Sequence, residues 1–211
     1  MKLGIVALTL ATLAVPARAQ DTGMKLMGLV MRCPAISSDG KHVALYSMAG
    51  STEPGSKTSL AVFSAAGKLE QRIGVVPPAT DAAKAEAAAT KIVKLLDDGG
   101  YKRMSRVARA SEDRQKLTYS TKLTSEDVEL EVVVKNRKVT ITGTRAGTAL
   151  APVTVKLGAK DGTCKKAEAY DLANTQAGYD PKTQLFAFSV QAEEARSVCG
   201  AHDFVVTLRA P

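Results

Sequence analysis

Tryptophan is absent from the 211 residues, and five Tyr with four Phe hold the aromatic share to 4%. Surfaces that stack bases or sugar rings are built from such side chains, so their scarcity argues against a nucleic-acid platform and against a sugar-stacking lectin. Histidine is limited to His42 and His202, and cysteine to Cys33, Cys164 and Cys199. Cys199-Gly200-Ala201-His202 spaces a thiol and an imidazole as two zinc ligands are spaced, but the remaining ligands are missing, so neither metal nor cofactor is expected. Cys-x-x-Cys, Gly-x-Ser-x-Gly and His-Glu-x-x-His are all absent, which removes common redox, nucleophile-elbow and zinc-protease signatures. No phosphate-cradling loop occurs, because Gly99-Gly100 follows a helical segment instead of opening one. Asp97 and Asp98 are neighbours at that segment's end and point apart, which suits a solvated terminus better than acid–base work. The balance is against an enzyme. An enzyme would need an unrecognised site, a cleft gathering His42, Asp39 or Asp180 beside a reduced Cys33.

Long apolar runs are also lacking: nothing beyond the N-terminal stretch approaches the roughly 18 residues of a membrane-spanning helix. At that N-terminus, Met1-Lys2 is followed by an apolar stretch over residues 3–15 and by the small-x-small site Ala17-Arg18-Ala19. This pattern reads as a secretory signal peptide over residues 1–19, with residues 20–211 as the mature chain. The protein is therefore expected in the periplasm or outside the cell, with no transmembrane segment after cleavage. Lys2 and Arg18 leave with the signal, which lowers a formal net charge of +8 and keeps the mature chain mildly basic. In an oxidising compartment a disulfide is the default, and Cys164 with Cys199 is the expected pair, both in loop-like contexts of the C-terminal third. In the chain-entropy model that closure stabilises the fold by about 3 to 4 kcal/mol. Cys33 is then buried and free, or bonded between molecules.

The segment over residues 37–47 organises the rest. Ser38-Asp39-Gly40-Lys41 has tight-turn composition, and Val43, Leu45 and Ser47 alternate behind it as a strand does. Residues 111–120 and 179–189 echo it, each with an Asp in a polar turn ahead of an apolar pair and a closing Ser. Each echo is followed by another β run, at residues 60–63, 128–134 and 204–208. Further strands are expected over residues 24–36 as the opening strand, 68–76, 138–144, 151–157 and 203–209. Residues 128–134 and 138–144 form a hairpin around Lys135-Asn136-Arg137. Residues 165–173 stay open between strand and short helix, and 191–197 between a polar loop and one helical turn. One helix is expected near residues 80–98: Thr80 caps it, Asp81 complements its dipole, and Ala85, Ala88, Ala89, Ile92, Leu95 and Leu96 share a face.

Pro34-Ala35-Ile36-Ser37-Ser38-Asp39-Gly40-Lys41-His42-Val43-Ala44-Leu45, with residues 59–63 and Ala66-Gly67-Lys68, resembles a hairpin of the WD-repeat-like propellers typified by the periplasmic protein of the Tol-Pal system. The likeness covers residues 33–75. It implies antiparallel sheet and a binding role, without implying a complete propeller.

The expected fold is mainly β, in antiparallel hairpins and sheets with one helix, or alternatively α+β. It forms a single β-rich domain, with a possible subdivision near residues 77–100. The expected role is that of an exported, non-catalytic interaction module of a bacterial-type envelope. It contacts a protein partner through hairpin edges or through loops such as 49–57 and 193–202. The alternatives are an envelope enzyme, or an anionic-polymer binder using the basic stretch 102–116, whose charges alternate between faces and form no single stripe.

Overall fold

The computed structural model describes residues 17–49, 57–76, 80–106, 108–109, 116–120, 128–135, 138–157, 169–171, 177–194, 197–209 and 211. In chain order the elements begin with helix α1 (Ala17–Arg32) and strands β1 (Ala35–Ile36), β2 (His42–Ala49), β3 (Lys57–Ser64) and β4 (Leu69–Val75). Helix α2 (Ala82–Asp98) follows, then β5 (Lys102–Arg103), β6 (Ser105–Arg106), β7 (Ala108–Arg109), β8 (Lys116–Ser120), β9 (Val128–Lys135) and β10 (Lys138–Arg145). The chain closes with β11 (Thr148–Ala149), β12 (Val153–Lys156), β13 (Ala169–Asp171), β14 (Ala177–Asp180), β15 (Leu185–Glu194) and β16 (Ser197–Thr207). The mainly antiparallel β architecture is as expected, but the described residues hold two helices rather than one.

The extra helix corrects the opening-strand reading of residues 24–36. Thr22, Leu26, Leu29 and Cys33 are buried at spacings of three and four, which is a helical period. The run carries few β-branched residues, and Pro34 stops the helix by denying the next turn an amide donor. The expected cleavage point after Ala19 falls in the first turn of α1. In α2 the N-cap is Asp81 rather than Thr80: its carboxylate accepts from the Lys84 N–H at 3.0 Å.

The structure is layered. Leu26, Leu29 and Cys33 join Ala89, Ile92 and Leu96 of α2 over one face of a sheet ordered β4-β3-β2-β1-β5, where Ala44, Tyr46, Leu60, Val62, Ile73 and Val75 receive them. Alternate residues point the other way. Ile36, Val43, Leu45, Ala61 and Phe63 pack on Leu185, Ala187 and Val205 of a second, central sheet built from β13, β14, β15, β16 and β6. That sheet's opposite face carries Tyr179, Phe186, Phe188, Val190 and Val206. It meets Val128, Leu130, Val132, Val139 and Ile141 of an outer sheet, in which β7, β8, β9 and β10 run in order and β11 and β12 both pair with β10. Phe188 stacks between Phe186 and Phe204 with ring centroids 5.1 and 5.3 Å away. Burying a ring of this size is worth about 1.5–3 kcal/mol, which applies in full to Phe186 and Phe188, while Phe204 is partly buried against them.

The three echoes noted in the sequence are one hairpin in each sheet. β1 pairs with β2, β7 with β8, and β14 with β15, all antiparallel, and β3, β9 and β16 add the next strand. The turn of the second echo lies outside the described residues. Among the described residues of the basic stretch, β5 pairs with β1, β6 with β14 and β7 with β8, so these three short strands join three sheets in succession. The described residues of 191–197 are strand rather than loop or helix, since β15 extends to Glu194 and β16 begins at Ser197, with a register shift between Ala192 and Glu193. In the open segment 165–173, β13 settles residues 169–171 as strand, and the remainder lies outside the described residues.

Candidate functional site

The β1–β2 turn is fixed by its own side chains. Gly40, at φ +70°, donates its N–H to the Ser37 carbonyl at 2.9 Å. Asp39 Oδ1 accepts from the Ser37 hydroxyl at 2.6 Å and from the Lys41 N–H at 3.0 Å, and these two bonds hold its carboxyl below the usual range. The Ser37 hydroxyl accepts in turn from the His42 N–H at 3.0 Å. Beneath the turn sits the C-terminus of α2, where Ser38 donates both its N–H and its hydroxyl to the Gly99 carbonyl.

This arrangement places three more groups. His42 Nε2 lies 3.2 Å from Glu70 Oε2 on β4, and Nδ1 lies 3.8 Å from Asp39 Oδ1, so the ring stands between two carboxylates. Tyr101 follows the helix end, with its N–H donated to the Leu96 carbonyl. Burial, then the nearby Asp39 and Glu70 carboxylates, pushes its phenol up to about 12. The β14–β15 turn abuts the same corner: a Cβ on Gly40 would stand 2.9 Å from Thr183 Cγ2. There Asp180 accepts the Thr183 N–H at 2.8 Å and its hydroxyl at 2.7 Å. The structure thus brings Asp39 and His42 together and adds Glu70 and Tyr101, which sequence reading missed. Only the pairing of β3 with β4 brings Glu70 there, and nothing local announces it.

Cys33 does not complete a catalytic array. It is buried between the helices and the first sheet as a free thiol, and burial pushes it up to about 12, with Arg32 opposing. A nucleophilic cysteine needs the opposite shift. Its influence on Tyr46 and Tyr101 is that of a buried neighbour raising their values.

A second polar cluster lies between the first two sheets. Asp203 on β16, its side chain fully enclosed, accepts from the Ser189 hydroxyl at 2.7 Å and the Ser47 hydroxyl at 3.3 Å. Arg72 Nη2 is 3.6 Å from the same carboxylate, and Arg72 Nη1 donates to the Ser59 hydroxyl at 3.1 Å. Burial raises the Asp203 carboxyl in spite of these partners. Five polar side chains satisfying one another across a sheet interface form a clamp that ties the two sheets together.

The other sequence candidates separate. Asp97 receives Arg32 Nη2 at 2.8 Å and Asp98 receives Lys94 Nζ at 2.7 Å, so the acidic pair does point apart. Lys102 and Arg103 are exposed on β5, with Met104 buried behind them. The Cys164–Cys199 disulfide lies outside the described residues: Cys164 is not among them, and Cys199 is described only as a backbone position of β16. Among the described residues, no three His, Cys, Asp or Glu side chains are grouped so as to hold a metal ion, and no helix is long and apolar enough to cross a membrane.

The exposed surface next to this corner is the edge strand β4. Among the described residues it ends the first sheet, paired only with β3, and it exposes Leu69, Glu70, Gln71 and Arg72 in succession. No family model, no curated protein and no solved structure matches this chain.

Proposed function

We propose that this chain is an exported, non-catalytic interaction module of a bacterial-type envelope, and that it contacts a protein partner along β4. The observation that carries the reading is the open edge itself. Seven residues of strand end the first sheet with no further strand beside them among the described residues. An unpaired edge presents backbone donors and acceptors to any extended segment, which then adds as a further strand, while the edge side chains select the sequence. Leu69, exposed at the start of β4, supplies an apolar anchor. Glu70 with His42, and Arg72 further along, supply charge of both signs. The polar groups that sequence reading offered to an enzyme serve the fold instead: Asp39 and Asp180 tie turns, and Cys33 is held as a neutral thiol. The resemblance of residues 33–75 to a propeller hairpin points the same way, toward binding.

The test uses the chain exported by its host and purified with a C-terminal tag. N-terminal sequencing of that material is expected to begin at Gln20. Capture from envelope extract at low and high salt should retain one stoichiometric protein through high salt, and Gln71→Pro, which spoils the edge for pairing, should release it. Recovery of nucleic acid or polysaccharide that salt elutes would overturn the proposal in favour of the basic stretch 102–116. A partner indifferent to Gln71→Pro would remove β4 from it.

A further inference from the structure

We infer that the outer face of α1 is a thioether site for a soft monovalent cation, Cu(I) or Ag(I), formed by Met24, Met27 and Met31. It uses a different surface from β4 and stands or falls apart from the partner reading.

The chain has six methionines, and three of them fall within eight residues of one helix. Spacings of three and four put Met24, Met27 and Met31 on one helical stripe, with successive Cβ atoms about 5–6 Å apart. The core-facing side of α1 is taken by Thr22, Leu26 and Leu29, so this stripe points outward. Its methionines are 68%, 64% and 55% exposed, the most exposed large apolar side chains among the described residues. Exposure on this scale contributes nothing to the core, whose three layers are filled without them.

The chemistry of the face is specific. Thioether sulfur is a soft, uncharged donor that favours Cu(I) and similar ions over hard or borderline cations. It needs no deprotonation, so the site is formed at any ordinary pH, unlike thiolate or imidazole sites. A methionine side chain has three rotatable bonds, enough for sulfurs on adjacent turns to converge on one ion above the helix. Gly28 lies among the three, and a Cβ built there would meet nothing within 4 Å. The floor between the methionines is therefore bare, and an ion can settle close to the helix. The flanking charges are self-compensated, Lys25 with Asp21 at 3.3 Å and Arg32 with Asp97 at 2.8 Å, so no free carboxylate of theirs draws a hard cation to the stripe.

The deciding experiment titrates the purified full chain carrying Cys33→Ala, which removes the buried thiol that N-ethylmaleimide would not reach, with any other free thiol blocked by N-ethylmaleimide, against silver nitrate in chloride-free buffer. Binding is followed by native mass spectrometry and by the ε-methyl NMR signals of 13C-labelled methionine. One Ag(I) per chain is expected. The Met24, Met27 and Met31 methyls should shift together while those of Met48 and Met104 stay in place. Replacing all three by leucine keeps volume and helix propensity and should weaken binding at least 100-fold, whereas Met27→Leu alone should weaken it about tenfold. Circular dichroism of each variant should match the parent. Ag(I) bound without movement of these methyls, or retained by the triple leucine variant, would overturn the site, as would a failure to bind at all.

Discussion

A carboxylate sealed between two sheets is a thermodynamic liability unless it is neutral or fully bonded, and Asp203 shows how the balance is struck. Two serine hydroxyls and one arginine favour the charged form, yet burial outweighs them and the carboxyl titrates above the ordinary aspartate range. The sign of the pH effect follows. With the folded value raised, the folded chain holds a proton that the unfolded chain has released, so stability falls as pH rises past about 3.9 and levels off above the folded value. Asp203→Asn is expected to abolish this part of the pH dependence, because the amide keeps an oxygen for the Ser189 hydroxyl and never ionises. Urea midpoints of both proteins from acid to neutral pH measure it, and parallel curves would show that Asp203 is not the titrating group. Ser189→Ala, which leaves the carboxylate oxygen without its shorter bond, should cost about 1–3 kcal/mol at neutral pH. None of this was legible in the sequence. Asp203 stood at the start of an expected strand, but its partners come from β2, β4 and β15, and pairing partners are not written in local pattern.

At the scale of elements, α1 is the informative case. Leu26, Leu29, Val30, Cys33 and Ile36 make a dense apolar run, and such runs fit a buried strand as readily as a helix. Gly23 and Gly28 weaken the helical signal further, at about 1 kcal/mol each relative to alanine. What decides is the neighbour. Leu29, 1% exposed, sits against α2 and the first sheet, while Met27 faces outward. A strand would put residues 27 and 29 on one face; the helix puts them on opposite sides. Leu29→Ala should therefore cost about 2–5 kcal/mol by leaving a cavity, and Met27→Ala should fall within about 0.5 kcal/mol of the parent. Chemical denaturation of the two variants separates the geometries, since equal losses would restore the strand. The other elements were easier to read. α2 carries a cap, a regular apolar face and a glycine stop, and β9 with β10 alternates cleanly. Their one-sided burial matches the period of the sequence.

At the scale of the whole molecule, the question is how three sheets become one stack, and the segment from Lys102 to Arg109 supplies the connection. In the sequence it shows only basic charges that alternate between faces, and alternation reports side-chain direction while staying blind to a change of pairing partner. In the structure its backbone passes from the first sheet to the central one within four residues, with Met104 buried at the crossing. The Met104 N–H donates to the Pro34 carbonyl at 2.9 Å, and Gly178 of β14 closes the seam. A Cβ on Gly178 would stand 2.9 Å from Met104 Cβ and 3.2 Å from Pro34 Cβ. Neither atom is the free end of a flexible side chain, since one is attached directly to backbone and the other belongs to a ring. Two effects then compete in Gly178→Ala. The methyl restricts the unfolded chain, which favours folding by about 0.4–1 kcal/mol, and it crowds a packed seam, which costs about 1–3 kcal/mol. Crowding prevails because the obstructing atoms can move only with the strands that carry them. The variant should be less stable by about 1–2 kcal/mol. If the seam couples the sheets, far-ultraviolet and tyrosine circular dichroism should report the same lowered midpoint. A midpoint equal to or above that of the parent would mean that the first and central sheets are joined through their apolar faces alone, with the Lys102–Arg109 segment only passing between them.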